Sequence, residues 1–292
     1  MKKVMQLIRV QIWDIMASMF AIGDYKKKKT KAFYAGLALV VIVLGRNFYS
    51  FAFLLGISLK AFDSMEVLLS LFMAITCIMV LFTTIYKVKG TIFGFKDFDL
   101  VMSMPVSNGK IVASRLILLY IVNFAFVLIA IVPMTVAYGK LARPGVMFYL
   151  LNLIAMIFMP LIPIIIASVL GTVLAYVTMR LKYSNILYIV FIFILVIGWI
   201  FIMPSFVQAS QEAMVETSKA LAGRINRIYP LAGLYSKAVA KSDLGALIIF
   251  IGFSVLAFLI FSWGVGKVFI RINTEIMTVR YKADYRMGEL KS

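Results

Sequence analysis

Six long apolar runs, near residues 32–59, 65–86, 114–137, 146–178, 185–203 and 244–266, leave few folds open to this chain. Crossing about 30 Å of hydrocarbon at helical rise takes about 20 residues, and each run meets that length or comes within a residue of it. Of the 292 residues, 63% are hydrophobic, where soluble domains hold about 45–50%. The fold class is therefore all-α: a polytopic membrane protein with six transmembrane helices.

Charge sets the expected orientation. The net charge of +18 does not point to nucleic acid, because the basic residues flank apolar runs and form no continuous basic face. With the amino terminus inside, segments 1–31, 87–115, 178–184 and 267–292 are cytoplasmic and hold 21 of the 30 Lys and Arg. The external segments 60–64, 138–145 and 204–243 hold eight, and Arg46 lies within the first span. This bias follows the positive-inside rule and places both termini in the cytoplasm, with the basic residues beside membrane lipids. Three regions result: an amphipathic helix and basic linker at 1–31, a transmembrane domain at 32–266, and a basic cytoplasmic tail at 267–292. In the first, Val4, Leu7, Ile8, Ile12, Ile15, Met16 and Met19 share one face, the pattern of an interfacial helix. A cleavable signal has a continuous apolar core, which this amphipathic start lacks.

The residue inventory removes several chemistries. There is no histidine, and the one cysteine, Cys77, lies inside an apolar run. Disulfides, Cys/His zinc sites and histidine-based triads are excluded, and Cys77 reads as a small packed or lipid-facing residue. No GxxxxGK[ST] phosphate loop is present; Gly264-Val265-Gly266-Lys267 has the wrong spacing and closes a span. None of the 12 acidic residues lies deep in a span, so no carboxylate pair or ion relay is evident. The chain reads as no enzyme by itself, with no metal site and no catalytic residue.

Four features carry what function the sequence shows. The stretch TIFGFKDFDLVMSMPVSNGKIVASR, residues 91–115, sits between two spans. Asp97 and Asp99 head a short helical pattern with Phe98, Leu100, Val101, Met102 and Met104, which Pro105 stops. Acidic residues suit a helix start, and proline cannot continue a helix interior. Its exposed apolar residues fit either a partner-docking helix or a loop lying on the membrane. Arg46 is the only charge deep in a span, open to snorkelling, to pairing with Asp63 or Glu66, or to a translocation path. Pro160 and Pro163 predict a kink in the long span at 146–178, either structural or cavity-lining. The external stretch 204–243 holds a helical pattern with Met214, Leu221, Ile225 and Ile228 on an apolar stripe, fitting a helix on the outer leaflet or a lid over an exit path.

KGTIFGFKDFDLVMSMPVSNGKIVASRL at 89–116, YGKLARPGVMFY at 138–149 and YPLAGLY at 229–235 resemble the large bacterial permeases of type-2 ABC exporters. The span layout agrees, and the resemblance covers essentially the whole chain. It implies a permease subunit in a bacterial plasma membrane, coupling ATP hydrolysis on a separate ATPase subunit to substrate export. ATP and magnesium then sit on that partner, and none is bound by this chain. The resemblance also implies a second permease half, either another copy or a C-terminal half, since members are often about twice this length. It makes residues 97–104 a coupling helix seated in the ATPase. Two other readings stand beside it: an ATPase-independent carrier or channel, and a membrane scaffold.

Overall fold

The computed structural model describes residues 26–91, 108–178 and 210–289. Those residues form eight α-helices and no strand: α1 Lys26–Ala61, α2 Glu66–Thr91, α3 Asn108–Ala142, α4 Val146–Phe158, α5 Leu161–Thr178, α6 Gln211–Ile228, α7 Pro230–Ala240 and α8 Leu244–Glu289. Five stretches among them are long and apolar enough to cross a membrane: Ala38–Ala61, Glu66–Ile85, Gly109–Ala142, Val146–Leu174 and Leu244–Lys267. They correspond to five of the six expected spans. The sixth, 185–203, lies outside the described residues, as do the amphipathic start at 1–22 and the segment 92–107. Two helices extend beyond their spans. Helix α1 already runs through the lysine block from Lys26, and α8 continues through the basic tail to Glu289. Helices overrun the hydrocarbon because nothing in a Lys- or Arg-rich segment stops one; lysine and arginine are good helix formers.

Helix α2 is the centre of the bundle. It packs on α1, α3, α5, α6 and α7, and its Leu68, Leu69, Phe72 and Val80 are fully buried. Helix α3 runs beside it and is tied to it by polar side chains at membrane depth. The Thr83 hydroxyl donates to Asn123 Oδ1, and Asn123 Nδ2 donates to Thr84 Oγ1 at 2.8 Å and to Leu119 O at 2.8 Å. Such pairings satisfy polar groups that lipid cannot, each contributing about 0.6–2 kcal/mol. Close approach of α2 and α5 occurs at Gly171, where a Cβ would meet Ile85 O and Val88 Cβ at 3.0 Å each.

Three corners at the Glu66 end turn without glycine. Asp63, Arg143 and Ser242 take φ of 46°, 47° and 53°, the left-handed region. At Asp63 the closure is a Schellman motif: Asp63 N–H donates to Lys60 O at 3.2 Å and Ser64 N–H to Leu59 O at 2.9 Å. At Arg143 a single bond to Gly139 O, 3.1 Å, closes α3. After Ser242, Asp243 Oδ1 accepts from Ala246 N–H at 3.1 Å and caps α8.

The long span at 146–178 is broken into α4 and α5 at Met159–Pro160. Proline lacks the N–H that a continuous ladder needs, and its ring crowds the preceding turn. Beside the break, the Tyr120 hydroxyl of α3 donates to Ile157 O at 2.8 Å, supplying a donor where the ladder is disturbed.

Candidate functional site

Helices α6 and α7 form a hairpin whose position is fixed by contacts at three levels. Near the rim, Ser58 of α1 donates to the Met214 sulfur at 3.3 Å. At the exit, Lys241 Nζ is 3.0 Å from Glu66 Oε2 and Ser236 Oγ donates to Glu66 O at 2.7 Å. At the turn between the helices, the Tyr229 hydroxyl faces the Cys77 thiol of α2. Cys77 stands eleven residues into α2 from Glu66, which at 1.5 Å per residue is about 16 Å along that helix. The hairpin therefore enters from the Glu66 end, turns about halfway along α2 and returns. A helix lying flat on a leaflet does not describe it. The expected stripe divides: Met214 is buried and Ile225 packs against the core, while Leu221 and Ile228 are 39% and 85% exposed, and Val215, Ser218 and Ala222 complete the buried face. The difference arises because α6 packs against α1 and α2, so protein, not lipid, selects its inner face.

Helix α6 begins at Ser210, whose hydroxyl accepts from Ala213 N–H at 3.3 Å; Glu212 sits in the first turn and Arg227 in the last, both favoured by the helix dipole. Pro230 opens α7, where its missing N–H costs nothing. Inside the bundle, Tyr235 of α7 is fully buried. Its hydroxyl donates to Asn152 Oδ1 of α4 at 2.6 Å, and Asn152 Nδ2 donates to Thr135 Oγ1 of α3 at 2.7 Å. Thr135 in turn donates to Ile131 O at 2.7 Å. This relay joins the hairpin to the upstream half of the broken span. Burial holds the Tyr235 phenol well above the usual tyrosine range, so it stays a donor.

The sequence-derived candidates do not converge. Arg46 lies on the exposed face of α1, with no partner among the described residues; Glu66, expected as a possible mate, is taken by Lys241. Pro160 and Pro163 are buried at the α4–α5 break. Asp97, Phe98, Asp99, Leu100, Val101, Met102 and Met104 lie outside the described residues. The relay and the α2–α3 pairing were missed, although their signal was present: Asn152 and Asn123 are amides within apolar runs, where an unpaired polar group is costly.

The described residues thus define a helical, membrane-type protein with an inserted hairpin at one end. A family model described as "Putative ATP-binding cassette" matches residues 30–282, and the chain belongs to that family. No curated protein and no solved structure matches it. The match corrects three expectations: a permease subunit, no enzyme, and no ATP or magnesium bound by the chain itself. The family description attaches an ATP-binding cassette to the chain's own family, not to a separate subunit alone. That description carries the correction, and no motif does: the sequence has no GxxxxGK[ST] loop. Among the described residues there is no strand leading into a phosphate loop and no group of three His, Cys, Asp or Glu for a metal. These helices do not fit a nucleotide and its magnesium.

Proposed function

We propose that the chain is a bilayer-spanning member of an ATP-binding cassette transport system. One observation carries this reading: the family match spans 30–282, and the same residues contain five helices of membrane-crossing length and apolarity. The cationic bias orients both termini to the cytoplasm. Segment 97–104 serves as the docking helix for a cytoplasmic component of the system, with Phe98, Leu100, Val101, Met102 and Met104 as its contacts. A second helical half covers the face of α1 that carries Arg46, since a lipid-exposed guanidinium is costly and no partner is present among the described residues. Pro160 and Pro163 shape the path along the broken span.

The test is co-purification from native membranes. Phe98→Asp with Met102→Asp is expected to abolish recovery of a cytoplasmic component while leaving membrane insertion and the yield of the chain unchanged. Association that survives both substitutions removes the docking assignment.

A further inference from the structure

The long span at 146–178 divides into two arms held by different neighbours. Its upstream arm, α4, packs on α3, α7 and α8. Asn152 ties that arm to Tyr235 of the hairpin at 2.6 Å and to Thr135 of α3 at 2.7 Å, and Phe148 stacks on Tyr138 with ring centroids 4.5 Å apart. Its downstream arm, α5, is seated chiefly on α2, with Ile164 and Ala167 fully buried and Gly171 close against Ile85 and Val88.

The joint between the arms is weak. A continuous helix carries i→i−4 bonds across every peptide junction. At Met159–Pro160 the bonds due to Met156 O and Met159 O cannot form, because Pro160 and Pro163 have no N–H to give. A third carbonyl beside the junction, Ile157 O, accepts from Tyr120 of α3. Met156 and Met159 are 4% and 2% exposed, so the joint lies inside protein, and unbranched thioether side chains refill space as their surroundings change shape. A shift of the hairpin thus reaches α4 through Tyr235, while the seat on α2 retains α5.

We propose that Met159–Pro160 is a working hinge, about which α4 swings with the α6–α7 hairpin while α5 stays on α2. The hinge turns a displacement of the hairpin at the Glu66 end into a change of bend within the membrane. The inference rests on the bilayer-spanning reading and deepens the part given there to Pro160 and Pro163. Its test uses the purified chain alone, so a failed co-purification leaves it untouched.

The bend is read as a distance. In a Cys77→Ser chain, Leu150→Cys on α4 and Val173→Cys on α5, both at exposed positions, carry spin labels in phosphatidylcholine nanodiscs. A straight helix would hold the two backbone positions about 35 Å apart, and bending shortens that distance. Ile249→Cys with Trp263→Cys on α8, which has no proline, is the reference pair. Pulsed electron resonance is expected to give a distribution for 150–173 about twofold or more wider than for 249–263. Pro160→Ala with Pro163→Ala restores both donors and should narrow it and lengthen its mean. Lys241→Glu sets like charges together at the hairpin exit, where Lys241 meets Glu66 at 3.0 Å, and should shift the 150–173 distribution alone. Adding Glu66→Lys should restore it. Equal widths for the two pairs overturn the proposal, as does a distribution indifferent to the proline replacements or to the charge reversal in monodisperse protein.

Discussion

At the scale of single residues, the Tyr235–Asn152–Thr135 relay is the most consequential arrangement in the bundle. It is a chain of donors ending on a backbone carbonyl, so no member is left idle. Tyr235→Phe keeps the ring and its packing but removes the donor to Asn152 Oδ1. An unmet buried acceptor costs about 1–3 kcal/mol, and interhelical bonds in membranes fall toward the lower end. The thermal unfolding midpoint of the purified chain in detergent is expected to fall accordingly, and an unchanged midpoint would show that the hydroxyl contributes nothing. Arg46 teaches the opposite lesson. Its position was readable in the sequence, whereas its surroundings were not: Glu66, one of the two nearest carboxylates in sequence, belongs to Lys241 in space.

At the scale of elements, apolar length and proline position proved sufficient to locate five spans and the break at Pro160. Periodicity did less well for α6. The stripe read from Met214, Leu221, Ile225 and Ile228 assumes one flat apolar surface, whereas α6 meets α1 and α2 with Met214, Val215, Ser218 and Ala222. A serine and an alanine face inward because two helices approach closely there, a cause that hydrophobicity alone does not encode. The same close packing governs α2 against α5. Gly171→Val places carbon against the Ile85 carbonyl and the Val88 side chain, and is expected to destabilise by about 1–3 kcal/mol. Gly252→Ala on α8, where a Cβ meets nothing within 4 Å, is the matched control and should stay within about 0.5 kcal/mol. Comparable loss in both would locate the cost in backbone freedom and not in the α2–α5 contact.

At the scale of the whole molecule, the class of protein was legible and its division of labour was not. Apolar runs and the distribution of lysine and arginine reveal a bilayer-spanning chain, because the bilayer acts on composition directly. Assignment of ATP to one component or another depends on partners, and the family description moved it without any residue of the chain announcing the move. The stretch at 91–115 stands between these cases: its pattern is plain, and the contacts proposed for it belong to a surface on another molecule.

One feature gives the assembled system a built-in clock. The chain has a single cysteine, and that thiol lies buried beneath the turn of the hairpin, opposite Tyr229. Alkylation of the unmodified protein therefore proceeds only as fast as the turn withdraws from α2. In membranes holding the complete system, magnesium-ATP is expected to change that rate, read as the time course of mass gain at Cys77. A rate indifferent to nucleotide would mean that the hairpin stands still while the transporter works. Motion in this chain is thus measurable with no label introduced and no residue replaced.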